Sequence, residues 1–490
     1  MNTPIRKVAI AALALFGLLI LNVNYVQVFE GDDLRTDPGN TRVLLDEYER
    51  ERGAIVVDGH GIARSVVTGD KLKYLRQYPS KDLYSDVTGF YSLIYGATGI
   101  EQTDNDVLSG NDNRLFTARL SDLLTGRDPK GGNVVLTLQS KAQQAAYNGL
   151  NGRPGAVVAL DPKTGAILAM ASSPSYDPNP IASHDTDQIR AAYKKYINTV
   201  NEPLLNRAIS NTYPPGSTFK VIVSAAALAA GKTPNSLIDC PHRYKLPLGS
   251  LELKNFDDEP CPAAKVTLQD ALTRSLNTAY ANLGVQLGQS AIKAQAAAFG
   301  ITDQAFTTPL RVAGSSVGTI PDANALAQSS IGQRDVRLTP LQGAMIAAAV
   351  VNNGTLMKPY LVKELQAPDF SPFDQTEPTP FNPNQPEAVS PAVAAQLKQM
   401  MINVVQNGTG KSAQIAGIEV GGKTGTAENL KHAQPHAWFI GFATSGQKQV
   451  AVAVMLEHAG TTGREVTGGQ AAAPLAKSVI EAVLGTGGSG

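Results

Sequence analysis

Residues 213–231 read Tyr-Pro-Pro-Gly-Ser-Thr-Phe-Lys-Val-Ile-Val-Ser-Ala-Ala-Ala-Leu-Ala-Ala-Gly. Two prolines and a glycine keep Tyr213–Gly216 out of a helix, whereas Phe219–Ala230 is a strong helix pattern stopped by Gly231. Ser217 therefore stands at a helix N-terminus, where free backbone N–H groups and the dipole favour a developing anion. Lys220 returns to the same face three residues on, within reach of the serine oxygen. Apolar Val221 and Ile222 would help desolvate it, lowering its pKa toward that of a useful base. An ordinary N-cap serine looks the same in isolation. Two later triplets tip the reading: Ser275-Leu-Asn277 and Lys423-Thr-Gly425 supply a relay hydroxyl and a carboxylate-gripping strand, in order.

Each triplet has a second copy, and context separates them. Lys163-Thr-Gly165 lies between the apolar runs Ala156–Leu160 and Ala166–Ala171, so it reads as an exposed hairpin turn. Lys423-Thr-Gly425 follows Ile418-Glu-Val-Gly-Gly and runs into Thr426-Ala, an extended edge segment. Ser290-Ala-Ile-Lys293 reads as the surface of an alanine-rich helix with no turn before it, and Ser109-Gly-Asn111 as part of a polar loop.

Other chemistries fit poorly. Gly314-Ser-Ser-Val-Gly318 matches a nucleophile elbow, but it runs into Ile320-Pro-Asp without the helix that an elbow requires. Gly408-Thr-Gly-Lys-Ser412 resembles the tail of a phosphate loop, yet Val405 occupies the place of its first glycine, leaving a flexible turn after the helical run Ala392–Val405. His60, His184, His242, His432, His436 and His458 form no metal motif and read as surface residues. The 42 basic and 42 acidic residues cancel, which excludes a broad nucleic-acid footprint.

Val8–Val28 is apolar and long enough to span a bilayer. Arg6 and Lys7 precede it while Glu30, Asp32 and Asp33 follow, which places residues 1–7 in the cytoplasm. No small-x-small site ends the apolar run, so an uncleaved anchor is expected over residues 8–28 rather than a signal peptide. Cys240 and Cys261 bracket a polar loop, and outside the cytoplasm they are expected to form a disulfide contributing roughly 3 kcal/mol.

A polar linker over residues 29–45 leads to a hairpin with its turn at Asp58–Gly61 and a helical piece around Leu115–Leu124. Residues 29–130 read as an anchor-proximal, non-catalytic module ending near Arg127-Asp-Pro-Lys-Gly-Gly132. Residues 131–484 form the larger domain, and residues 485–490 a flexible tail. Strands begin it (Val134–Leu138) and end it (Ala437–Ala443, Val450–Glu457), with alanine-rich helices between and a proline-rich excursion at residues 366–386. That order predicts an α/β (α+β) domain with a central antiparallel sheet flanked by helices.

The resemblance extends beyond the triplets. Arg52-Gly-Ala-Ile-Val-Val-Asp-Gly-His-Gly61, Asp161-Pro-Lys-Thr-Gly-Ala-Ile-Leu-Ala-Met170, Pro174-Ser-Tyr-Asp-Pro-Asn179, Ile331-Gly-Gln333, Leu338-Thr-Pro-Leu-Gln342, Gly422-Lys-Thr-Gly-Thr-Ala-Glu428 and Trp438-Phe-Ile-Gly-Phe442 are similar to class B penicillin-binding proteins. The likeness covers roughly residues 46–484, although the family's usual Arg-Asn-Gly turn is altered. It implies a membrane anchor, a non-catalytic pedestal and a transpeptidase domain acting on peptidoglycan stem peptides. Ser217 would attack the carbonyl between two terminal D-alanines, Lys220 would take its proton, and Ser275 would relay protons with help from Lys423. Asn277 would hold the substrate amide and orient Lys220. Lys423, Thr424 and Thr426 would bind the substrate carboxylate, Gly425 would admit the peptide, and the N–H groups of Ser217 and Thr426 would form the oxyanion hole. β-Lactams would acylate the same serine. The resemblance calls for no metal or organic cofactor, and implies partners among division or elongation proteins. Three alternatives stay open: a serine β-lactamase, against which the anchor and length speak; a D,D-carboxypeptidase; and a non-catalytic penicillin sensor or division scaffold.

Overall fold

The computed structural model describes residues 3–30, 48–116, 126, 128, 130–427, 434–461, 464–465 and 467–486. Helix α1 (Thr3–Phe29) is long and apolar enough to cross a membrane. The polar linker from residue 31 on (with Asp32 and Asp33), Arg127, His432, Glu428 and most of the Leu115–Leu124 piece lie outside the described residues.

The first sheet starts with strands β1 (Ile55–Val57) and β2 (His60–Val67). Val57 pairs with His60, so the turn is only Asp58-Gly59, both with positive φ, tighter than the span read from sequence. Strand β3 (Tyr74–Gln77) extends one edge. On the other side β1 runs parallel to β4 (Asn133–Leu136), with Ile55 opposite Val134. Strands β7 (Val362–Gln366) and β8 (Pro372–Gln375) complete the six-stranded order β8-β7-β4-β1-β2-β3. The excursion expected at residues 366–386 is thus partly a hairpin, because β7 satisfies its backbone against β4. Beneath this sheet Glu101 is fully buried and accepts from Arg52 Nε and Arg76 Nε, each at 2.7 Å, and from the Tyr78 hydroxyl at 3.1 Å.

The central sheet has the antiparallel order β9-β10-β11-β5-β6, from β5 (Gly155–Leu160), β6 (Ile167–Ser173), β9 (Glu419–Ala427), β10 (His436–Ser445) and β11 (Lys448–Leu456). Strands β5, β6 and β11 read as largely apolar runs because both faces are covered. Helices α2 (Ser140–Leu150) and α8 (Ala473–Leu484) pack with Phe439, Val452 and Val454 on one face. Trp438, Ile440 and Phe442 point the other way, toward α3 (Lys220–Ala229) and α6 (Pro340–Val351). Between α3 and α6 come α4 (Leu268–Arg274) and α5 (Asn277–Leu287), while α7 (Pro391–Asn407) precedes β9.

Three local expectations change. His436 is buried at 2% exposure on β10, where the Tyr213 ring meets it edge-on and burial lowers its pKa to about 4. Ser109 is buried at the end of a short helix rather than in a loop. Ser290 lies in the first turn of its helix, directly after Gly288 at φ +84°, although its side chain is exposed as expected.

Candidate active site

Ser217 sits in a 3-10 turn, Gly216–Phe219, that feeds directly into α3. Side chains three apart eclipse in such a turn, so Ser217 and Lys220 project from one side. The preceding segment is fixed by its surroundings. Tyr213 exchanges backbone hydrogen bonds with Leu338, Gly216 N donates to Gly332 O at 3.0 Å, and Trp438 Nε1 donates to Pro214 O at 3.0 Å. Gly216 has φ +53°, and a Cβ there would fall 2.5 Å from Thr426 O. The turn bearing Ser217 therefore rests against strand β9.

Ser275 caps α4 in the left-handed conformation, φ 61° and ψ 40°, which is uncommon outside glycine. Thr267 caps the other end of that helix by accepting from Asp270 N. Both the carbonyl and the hydroxyl of Ser275 then receive Lys220 Nζ, at 2.7 Å and 3.3 Å. Lys220 also donates to Asn277 Oδ1 at 2.7 Å. From the opposite side, Lys423 Nζ donates to Ser275 Oγ at 2.8 Å and to Thr424 O at 2.9 Å. Among the described residues no hydrogen bond joins the Ser217 hydroxyl to Lys220, whose donors go to Ser275 and Asn277.

Both lysines are fully buried. Burial pushes the Lys220 amine well below its ordinary value, and the Lys423 charge lowers it further. Burial alone brings Lys423 down to about 7. Ser217, Ser275, Asn277 and Thr426 are partly exposed, whereas Thr424 and Gly425 are buried. These candidate groups thus lie beside the edge strand β9, partly open to solvent. The structure gathers Ser217, Lys220, Ser275, Asn277 and the Lys423–Thr426 strand in one place, and Cys240 and Cys261 are joined as a disulfide beside them.

Several contributors carried no sequence signal. Thr409 belongs to the glycine-flanked turn read as merely flexible, yet its hydroxyl lies 2.6 Å from that of Thr424. Lys254 O accepts from Asn277 Nδ2 at 3.2 Å, across a long loop.

Residues 155–481 match the family described as the penicillin binding protein transpeptidase domain, and residues 52–134 match the penicillin binding protein A dimerisation domain. The chain is 48% identical to the peptidoglycan D,D-transpeptidase PbpA of Mycolicibacterium smegmatis, over 99% of each chain. It is 46% identical to PbpA of Mycobacterium tuberculosis, again over 99% of each. Among solved structures, the ceftriaxone acyl-enzyme of penicillin-binding protein A from M. tuberculosis superposes with a TM-score of 0.86 at 45% identity, covering 90% of this chain and 100% of that one. Pseudomonas aeruginosa PBP2 superposes at 0.73 with 29% identity, covering 89% and 95%.

Proposed function

Because the chain belongs to the penicillin-binding protein transpeptidase family, we propose that Ser217 is the nucleophile with which it cross-links peptidoglycan stem peptides. The chain is a peptidoglycan D,D-transpeptidase of the serine acyl-enzyme kind, and β-lactams acylate it. In the proposed sequence Ser217 Oγ adds to the penultimate D-alanine carbonyl while its proton passes to neutral Lys220. The oxyanion lies against the N–H groups of Ser217 and Thr426, a reading supported by the close approach of the Gly216 turn to Thr426. Ser275 hands a proton to the departing D-alanine amine, and the acyl group then goes to an amine of a second stem peptide. Thr424, Thr426 and charged Lys423 hold the terminal carboxylate and Asn277 holds a substrate amide, while Gly425, whose Cβ would meet Pro215 O and Thr218 Cγ2, makes room for the Ser217 turn rather than for the peptide.

The observation that carries these roles is the meeting of Lys220 and Lys423 on one hydroxyl, Ser275 Oγ. Incubating the full chain in detergent with a fluorescent penicillin and mapping the labelled peptide tests the assignment. Label on Ser217 that disappears in Ser217→Ala is the expected result; label elsewhere, or retained in that variant, overturns it.

We also propose the cellular arrangement. Helix α1 anchors the chain with residues 1–7 in the cytoplasm, residues 29–130 as a pedestal and residues 131–484 as the catalytic domain on the outer side. The basic flank Arg6-Lys7 and the Cys240–Cys261 disulfide support that sidedness. Partners among the division or elongation proteins follow from the family resemblance. Protease added outside intact cells should digest residues 131–484; full protection would reverse the orientation.

A further inference from the structure

The loop closed by Cys240–Cys261 packs against the second motif, and none of the roles above uses it. Inside it, Arg243–Lys245 and Glu252–Lys254 pair as a hairpin. Asn324 pins the hairpin tip, its Oδ1 accepting from Leu248 N and its Nδ2 donating to Leu248 O. Where the hairpin ends, Lys254 O accepts from Asn277 Nδ2. The next residue, Asn255, is 4% exposed. Its Oδ1 accepts from Thr278 N at 3.1 Å and its Nδ2 donates to Glu259 O at 3.0 Å. Both disulfide sulfurs close on the same threonine, Cys261 Sγ lying 3.3 Å and Cys240 Sγ 3.8 Å from Thr278 Oγ1.

An amide has a donor end and an acceptor end, and only one orientation serves Lys220. With Asn277 Nδ2 directed to Lys254 O, Oδ1 faces the Lys220 amine at 2.7 Å. Turned over, it would present N–H groups to an ammonium. We propose that Asn255 is a positioning residue for acyl transfer: it ties the disulfide-closed loop to Thr278, so that Lys254 O fixes the Asn277 amide with its oxygen on Lys220. The inference rests on the role given to Lys220 above.

A consequence separates positioning from mere support. The Asn277 oxygen accepts from the ammonium form of Lys220, so losing it favours the neutral amine and moves deprotonation to lower pH. The other groups facing Lys220 among the described residues are Lys423 from β9, the Ser275 carbonyl and hydroxyl, and the Tyr280 ring, whose centroid lies 5.5 Å from Nζ. None of them contacts Asn255.

The test follows acylation of the full chain by a fluorescent penicillin across pH, each rate taken per acylatable site so that misfolded molecules drop out. Asn255→Ala should slow acylation about tenfold at its optimum and move the acid limb down by about half a pH unit. The double variant Cys240→Ala/Cys261→Ala, which keeps Asn255 but unties the loop, should shift the limb the same way by less. An unmoved acid limb in the Asn255 variant, with or without a slower rate, overturns the proposal. An absence of label in the parent chain overturns the functional reading, and this inference with it; a labelled parent with unmoved limbs overturns this inference alone.

Discussion

Ser275 Oγ accepts from two buried amines. A hydroxyl has two lone pairs, so both contacts can coexist while its own proton stays free for the departing amine. Two ammonium charges sharing so small a dry space repel each other, and Lys220 yields first because burial is joined there by the Lys423 charge. The order fixes the sign of the pH dependence. In the proposed mechanism transfer needs Lys220 neutral, so the rate rises with pH through the lowered Lys220 value. It also needs Lys423 charged, so the rate falls as pH passes about 7. A bell-shaped profile of the penicillin acylation rate is expected. Lys423→Arg should flatten its alkaline limb, since a guanidinium stays protonated. Lys220→Arg, which keeps the charge but offers no base, should reduce acylation by at least about a hundredfold. These residues were legible because each belongs to a short motif whose spacing survives without any structure. Asn255 and Thr409 were not, because packing alone brings them to Thr278 and Thr424 from other loops.

At the scale of elements, the site is a junction between the edge strand β9 and the turn that opens α3. Nothing but backbone fits at the closest point. A Cβ on Gly425 would lie 2.7 Å from Pro215 O and 2.9 Å from Thr218 Cγ2. Gly425→Ala should therefore push strand and turn apart, costing about 1–3 kcal/mol of stability in a denaturant titration. Its acylation rate should fall further than that loss alone explains, because the displaced turn carries Ser217. Wild-type acylation in this variant would mean that the junction does not set the nucleophile. The strand itself was readable as an extended segment after Gly421-Gly422. The reason Gly425 is needed was not, since Pro215 and Thr218, for which it makes room, stand some two hundred positions earlier in the chain, whereas Gly422 faces the nearby Phe439.

At the scale of the whole molecule, the sequence order of strands and helices was enough to expect the late-closing antiparallel sheet, because four of its strands carry apolar runs and the fifth, β9, runs through Gly421-Gly422 as an extended segment. The first sheet was harder to foresee. Strand β4 joins β1 in parallel on one side and β7 on the other, so segments around residues 55, 134 and 364 share one layer. Both pairings are long-range and leave no periodicity that a local window detects. The same layer is braced by Glu101, buried between Arg52 and Arg76. Burial alone would raise the Glu101 carboxyl, but the Arg76 and Arg52 charges outweigh it and hold the group below its ordinary value. Glu101→Gln leaves two guanidinium groups buried without their counter-charge, and should cost about 3–5 kcal/mol in chemical unfolding.

The shared layer makes a further prediction about trimming the chain. A fragment of residues 131–490 keeps every residue assigned to acyl transfer but removes β1, and with it the partner that covers Val134 and Val135 of β4. Its exposed strand edge would be open to pairing with other copies. Ile55 and Val57, both fully buried in the intact chain, would no longer cover the shared core. A fragment of residues 48–490 retains the whole sheet. Penicillin labelling and thermal melts of the two should differ accordingly: the longer fragment matching the full chain in both, the shorter one melting several degrees lower and associating in solution. Equal melting and a monomeric shorter fragment would mean that β4 and β7 are held by the catalytic domain alone.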